Sequence, residues 1–462
     1  MPKSFSNLET KQPADQKKVL ILTYYWPPSG GAGVQRWLKF TKYLHEHGYQ
    51  PIIYTADQAE YPVLDTSLAK DIPPGLQVLK TAVWEPYKLY KKFTGQNTKE
   101  RVVSGFLQEK SGGKKWSRFI SLWLRANVFI PDARCFWINP SVKFLRKWLK
   151  ENKVDLIVST GPPHSMHVIA LKLKKKMNLP WLADFRDPWT NIDFAGDLPM
   201  TGYARKRNAF LEKQVLLHAN RVSVVSDLMR EEFSIPGRPA VQVITNGFDT
   251  DDFIVPDELI KNDGSFSIVH TGSMNARRNH PLLWAAVASL CETNPDFKSR
   301  VKIRLIGKND FSVIESIRQA GLEEKTEQID YLPHDQIIAE QKSASVLLLA
   351  INNYGTAEKG FFSPKATLTG KLFEYLAARK PILMIGPQDS QAAAIIKNTG
   401  AGQVAGFDDV QTIEQHLLTW FNQFQEGTLE VSSSGIEQFS RKALTKKLAA
   451  LFDELLLEVN SK

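Results

Sequence analysis

Cysteine is scarce in this 462-residue chain. There are two, Cys135 and Cys291, far apart and in no metal-ligand spacing. That excludes a disulfide scaffold and suits a reducing compartment, the cytosol. The nine histidines form no zinc spacing either. No run of about 18 apolar residues occurs, so no membrane span is expected. The opening MPKSFSNLETKQPADQKK lacks the apolar stretch of a secretory leader. Internal repeats, low-complexity tracts and nucleic-acid-binding motifs are missing, so nucleic acid is not an expected partner. Acidic charge is also short, with 49 Asp+Glu against 59 Lys+Arg, a net +10. The imbalance is local. Residues 80–150 hold 16 Lys+Arg and 4 Asp+Glu, and the remainder is close to neutral.

What is present has the pattern of an α/β protein. Short apolar runs at 19–24 (VLILTY), 49–55, 155–160 (DLIVST), 181–184, 221–225 and 241–245 read as buried parallel strands with helices between them. An acidic and polar linker follows at 249–265, in which Asp251 and Asp252 read as solvated turn residues. A second series begins at 266–271 and continues at 301–306, 346–350 and 381–385. Residues 436–459 have the apolar stripe of a long helix. The expected organisation is a flexible tail (1–16), a first Rossmann-like domain (17–255) with a basic aromatic insertion (80–150), a second Rossmann-like domain (256–435), and a C-terminal helix (436–462) packing back on the first. Two doubly wound domains of this kind enclose a cleft.

The loop after the first strand, WPPSGGAGVQR, carries Gly30, Gly31 and Gly33 before a helix. There, backbone N–H groups and a helix N-terminus turn toward an anion. It is not a dinucleotide fingerprint, because Arg36 stands where the third glycine belongs. The loop is followed, in order, by STGPPHSMH (159–167), LADFRDPW (182–189), VVSDLMREEF (224–233), ITNGFD (244–249), HTGSMNARRN (270–279) and GKLFEYLAARKPIL (370–383). With that series, the chain resembles the retaining GT-B glycosyltransferases of glycosyltransferase family 4, in the subtype marked by GKLFEYLAA.

The resemblance implies a GT-B fold and transfer of a sugar, with retention, from a nucleotide-sugar donor to a saccharide or lipid-linked acceptor in cell-surface polysaccharide or glycan synthesis. Glu374 is then the ribose-binding carboxylate. Arg278 and Lys371 hold the diphosphate, with Arg277 and Lys308 as further cations. Gly30, Gly31, Gly272 and Gly370 allow close backbone approach, and Leu372 lies beside them. His164 orients the sugar or acceptor. Asp184, Arg186 and Asp187 form a salt-bridged loop on the acceptor side. Two positions depart from the family pattern: Ala366 stands where a sugar-binding glutamate is usual, and Ser273 near a usual arginine. No DxD pair ends a strand of the second domain, so no metal or other cofactor is expected. Arg, Lys and N–H donors must then stabilise the leaving nucleoside diphosphate. A nucleotide-sugar epimerase or hydrolase of the same fold, or a non-catalytic nucleotide-sugar or membrane-binding protein, are the alternatives.

The basic segment has its own pattern. Trp116, Phe119, Ile120, Trp123 and Leu124 recur at helical spacing among Lys114, Lys115, Arg118 and Arg125. Such a stripe either buries against the first domain or lies on an anionic membrane surface, on the inner face of the membrane.

Overall fold

The structure is a computed structural model that describes residues 16–57, 59–61, 63–84, 115–191, 198–261, 263–355 and 364–461. Among these residues the strands form two parallel sheets. The first contains β1 (Lys17–Leu22), β2 (Tyr49–Asp57), β3 (Gln77–Ala82), β4 (Leu156–Gly161), β5 (Trp181–Phe185), β6 (Arg221–Val224) and β7 (Gln242–Val243), in the order β3-β2-β1-β4-β5-β6-β7. The second contains β8 (Phe266–Thr271), β9 (Val301–Ile306), β10 (Thr326–Ile329), β11 (Val346–Ala350), β12 (Ile382–Ile385) and β13 (Gly402–Ala405), in the order β10-β9-β8-β11-β12-β13. Strands such as β4, β8, β11 and β12 are buried along their whole length. Helices cover both faces of a parallel sheet, so its central strands carry apolar residues on both sides.

Strand order reverses between β1 and β4 in one sheet and between β8 and β11 in the other. At these points the connections leave to opposite faces and open a crevice at the carboxyl ends of the strands. The glycine loop and the His164 loop flank the first crevice. The 272–278 loop and helix Gly370–Ala378 flank the second.

The end of the chain returns to the first domain. Helix Arg441–Asn460 is capped by Ser440, whose Oγ accepts the Ala443 N–H at 3.2 Å. Its Leu444, Leu448, Leu451, Phe452 and Leu455 share a buried cluster with Val34, Trp37, Leu38 and Phe40 of helix Ala32–Leu44. At about 1.5–3 kcal/mol for each buried Leu or Phe, this seam is a major attachment. The residues just before the linker are zipped to the start of the same helix. Phe248 N–H donates to Phe439 O at 3.2 Å and Arg441 N–H to Phe248 O at 2.7 Å. A Cβ at Gly247 would stand 2.1 Å from Phe439 O, which is why ITNGFD has glycine there.

A buried charge knot lies beneath this junction. Lys39, 1% exposed, places Nζ 2.8 Å from Asp71, 3.1 Å from Asp249 and 2.5 Å from Asp252. These three carboxylates are grouped closely enough to hold a cation, and the Lys39 ammonium occupies the space between them. Asp252 also accepts from His334 Nε2 at 3.1 Å. The solvated turn expected at Asp251–Asp252 is therefore corrected at Asp252, whose carboxylate joins the linker to both domains.

The stripe on helix Lys115–Asn127 does not bury. Phe119, Ile120, Trp123 and Leu124 are 38–55% exposed. Lys114 lies outside the described residues, as do the side chains of Lys115, Trp116 and Arg118. Asn127 ties this helix to helix Gly202–His218 by accepting the Thr201 N–H at 2.6 Å and donating to Pro199 O at 2.9 Å. The second helix adds an exposed stripe of Tyr203, Lys206, Arg207, Phe210 and Lys213, at the spacing of one helix face. No helix among the described residues is long and apolar enough to cross a membrane.

Candidate active site

The second crevice gathers positive charge and unsatisfied donors. Helix Gly370–Ala378 starts at Thr369, which makes no side-chain cap. The hydroxyls of Thr367 and Thr369 are buried without partners. Lys371, in the first turn, reaches His270 Nε2 at 3.0 Å. His270 Nδ1 faces Leu348 O at 3.0 Å. A carbonyl can only accept, so Nδ1 carries the proton and Nε2 accepts from Lys371. Gly272, at φ 86°, makes room: a Cβ there would lie 2.8 Å from Lys371 Cε. Arg278 is aimed by Asn352 Oδ1 at 3.0 Å and Ser273 O at 2.9 Å. Burial and the nearby Arg278 charge hold Lys371 well below the usual lysine range, against the pull of Glu374. Two cations beside an uncapped helix N-terminus and two orphaned hydroxyls make a site for a polyanion.

The other expected cations lie at its edge. The Arg277 guanidinium lies over the Tyr354 ring at 5.1 Å. Lys308 is exposed, and its carbonyl accepts from Met274 N–H at 3.0 Å. Leu372 is corrected: its side chain is fully buried in the core and its N–H donates to Thr369 O at 3.2 Å, so it cannot touch a ligand in the crevice.

Glu374 stands one turn along the helix. Gln341, itself buried, donates to Glu374 Oε2 at 3.0 Å and fixes its direction. Glu374 lines a cleft together with Gln35, Lys39, His334, Gly370 and Arg441. This cleft is built from both domains, the linker and the C-terminal helix. Burial lowers the His334 pKa, but its hydrogen bond to Asp252 and the Glu374 charge outweigh that and leave it raised.

On the first-domain side, Asp184 is 1% exposed and takes five donors: Arg36 Nε (3.1 Å) and Nη2 (2.8 Å), Trp37 Nε1 (2.8 Å), Thr160 Oγ1 (2.9 Å) and Ser223 Oγ (2.8 Å). Burial alone would raise its pKa. The Arg36 charge and these hydrogen bonds win, holding it at about 2. With its oxygens occupied, Asp184 acts on the framework and not on an acceptor. Arg186 clasps the carbonyls of Gly33, Pro162 and Gly161, joining the glycine loop to the His164 loop. Asp187 is exposed. Gly31, at φ 85°, heads helix Ala32–Leu44 with no side-chain cap and open space beside it. At Gly30 that space is taken: a Cβ would lie 2.9 Å from both Asp65 Cβ and Tyr331 Oη. Gly30 therefore serves the contact between domains.

His164 stacks on Trp189 at 4.7 Å with its Nδ1 buried and unpartnered. Burial, His167 and Arg186 push its pKa well below the usual value. It is a neutral hydrogen-bonding group at the carboxyl end of β4.

His270, Gln341, His334 and Arg441 belong to the site but were not singled out from the sequence. His270 had a signal, a lone polar ring near the end of the apolar strand FSIVHT. Arg441 is 4% exposed, and its Nη1 has no partner. Burial and the Arg36 charge lower its pKa to about 9, with Glu374, Asp249 and Asp252 opposing.

Comparison with known proteins agrees with this architecture. Residues 111–252 match the model of Glycosyltransferase Family 4. No curated protein matches the chain. Sucrose-phosphate synthase from Thermosynechococcus elongatus is similar at 12% identity and a TM-score of 0.62, covering 96% of this chain and 100% of that one. Anabaena Alr3699/HepE, solved with UDP-glucose, is similar at 13% identity and a TM-score of 0.56, covering 96% and 99%. A variant of S. aureus TarM, solved with fondaparinux, alpha-GlcNAc-glycerol and UDP, is similar at 11% identity and a TM-score of 0.59, covering 95% and 100%. The chain has the two-domain GT-B fold.

Proposed function

We propose that the protein is a retaining glycosyltransferase that moves a sugar from a nucleoside-diphosphate donor to a saccharide or lipid-linked acceptor. The observation that carries this reading is the second crevice. Arg278, Lys371 and the uncapped start of helix Gly370–Ala378 form a polyanion site one helical turn from Glu374, a carboxylate held ready for a diol. A nucleoside diphosphate has that combination of groups. Solved structures with this fold hold UDP-glucose and UDP, and part of the first domain matches a glycosyltransferase family.

In this mechanism the bond from the anomeric carbon to the donor phosphate breaks, and a bond from that carbon to the acceptor oxygen forms on the same face. The acceptor proton passes to an oxygen of the leaving phosphate. Arg278, Lys371 and the helix N–H groups stabilise the negative charge that develops there, with no metal ion. His164, neutral and carrying an unpartnered Nδ1, orients the sugar or acceptor. The protein's main contribution is to hold the two reactants in line. The test is turnover: release of a nucleoside diphosphate that requires an acceptor.

The exposed two-helix face supports a membrane-bound acceptor. Phe119, Ile120, Trp123 and Leu124 beside Tyr203, Lys206, Arg207, Phe210 and Lys213 combine aromatic and cationic groups, the composition of a surface that rests on anionic lipid headgroups. The proposed partner is an anionic bilayer carrying the acceptor on the inner face of the membrane. In co-sedimentation with vesicles of phosphatidylglycerol and phosphatidylcholine, the native protein should bind less as salt rises. Lys206→Glu with Arg207→Glu and Lys213→Glu should bind about 100-fold more weakly, at roughly 1 kcal/mol for each charge lost. Equal binding of both proteins, or no binding of the native one, contradicts the placement.

A further inference from the structure

Arg441 is a cleft cation whose Nη1 has no hydrogen-bond partner. It opens the C-terminal helix, whose apolar residues pack on the first domain. Its side chain lines the cleft with Glu374, Gly370 and Asn246. Only 4% of it is exposed, Nη1 has no hydrogen-bond partner, and no ion pair to it occurs among the described residues.

The Phe40 ring and the charges of Glu374, Asp249 and Asp252 favour a cation here, but burial and the Arg36 charge outweigh them. A guanidinium stays charged, so deprotonation does not relieve its burial. Arg36 lies close by, and the two guanidinium groups share the Phe40 ring at 5.0 and 5.6 Å. The first turn of a helix repels positive charge through the backbone dipoles. The neighbouring carboxylates are engaged elsewhere: Asp249 and Asp252 by Lys39, Lys42 and His334, and Glu374 Oε2 by Gln341. The Phe40 ring attracts the charge but gives Nη1 no hydrogen-bond acceptor. What remains is a buried donor, without an acceptor, in the same cleft as the carboxylate assigned to the ribose.

We propose that Arg441 binds the donor nucleotide, its guanidinium donating to a ribose hydroxyl that in turn donates its own hydrogen bond to Glu374. A hydroxyl donates and accepts at once, so a carboxylate and a guanidinium together satisfy it. The assignment rests on the reading of Glu374 as the ribose-binding residue. It makes the C-terminal helix a part of the nucleotide site: the element that covers the first domain supplies a ligand-binding group to the second.

The experiment pairs a variant with altered ligands. UDP, 2′-deoxy-UDP and 3′-deoxy-UDP are titrated calorimetrically into the native protein and into Arg441→Gln, with the ADP and GDP series run in parallel. The native protein should bind one deoxy analogue about tenfold more weakly than its parent. Arg441→Gln should bind the parent about tenfold more weakly and distinguish it from that analogue less than the native protein does, because Glu374 still accepts from the hydroxyl. Without nucleotide, Arg441→Gln should melt at the native temperature or above it, because the buried charge is gone. Unchanged affinity in the variant, or discrimination retained at its native size, overturns the proposal. A lowered melting temperature with discrimination retained assigns Arg441 to folding. Failure of the native protein to bind any of these nucleotides removes the reading of the cleft itself, a result distinct from retained discrimination.

Discussion

Glu374→Ala is expected to abolish turnover and to weaken nucleoside diphosphate binding about 100-fold. The magnitude follows from the hydrogen bonds lost. Each bond to a charged group is worth about 1.5–3 kcal/mol, and a ribose diol offers two hydroxyls. The fold should survive the change. Glu374 is only partly buried, and alanine is the best helix former. Gln341 loses one acceptor but keeps Thr271 Oγ1 at 3.2 Å. Calorimetry and a melting curve on the same sample separate binding from stability. Native affinity in a well-folded variant would remove Glu374 from the site.

Asp184→Asn is expected to act in the opposite way, through the fold. The amide matches the carboxylate in size but turns one acceptor oxygen into a donor facing donors. It also leaves Arg36, 1% exposed, as a buried cation without its counter-ion. Breaking a buried pair in this way costs about 3–5 kcal/mol, so the urea midpoint of the first domain should fall sharply. The pH dependence has a definite sign. The folded pKa of Asp184 lies at about 2, below the ordinary aspartate value of 3.8. Its contribution is therefore complete above pH 3.8 and is lost as pH falls from there through about 2. A depression of this size corresponds to about 2 kcal/mol. The variant should show less acid sensitivity across that interval. An unchanged urea midpoint contradicts the assignment of Asp184 to the framework.

The central strands were legible in the sequence because both of their sides are buried. VLILTY, DLIVST and PILMI announce themselves as unbroken apolar runs. The strands Gln77–Ala82 and Thr326–Ile329 lie at sheet edges with much of their length accessible. Their polar composition resembles loop, and they were not anticipated. Helix 436–459 was legible from its stripe, but its start is Arg441, preceded by a short 3-10 turn at Ile436–Phe439.

The site divides along similar lines. Lys371, Arg278 and Glu374 sit in local motifs, and the structure brings them to one crevice. Lys39 and Arg441 have no local signal, because a lone cation on an amphipathic helix reads as solvated. Their burial comes from partners far along the chain, with Asp249 and Asp252 more than 200 positions from Lys39. Leu372 was misplaced for the converse reason. Residues next to each other on a helix face directions about 100° apart, so Lys371 can serve the crevice while Leu372 enters the core. The exposure of Phe119, Ile120, Trp123 and Leu124 was equally illegible: an apolar stripe says that a face seeks a partner, not which partner covers it.

The proposed reaction is glycosyl transfer from a nucleotide sugar bound in the cleft to an acceptor. The direct measurement is release of nucleoside diphosphate from UDP-, ADP- and GDP-sugars by the native protein in a metal chelator, with and without bacterial lipid extract and oligosaccharides as acceptors. Release from at least one donor is expected to need an acceptor, persist in the chelator, and disappear in Glu374→Ala. Conversion or hydrolysis of the nucleotide sugar at the same rate without any acceptor would contradict it, and so would release that requires a divalent metal.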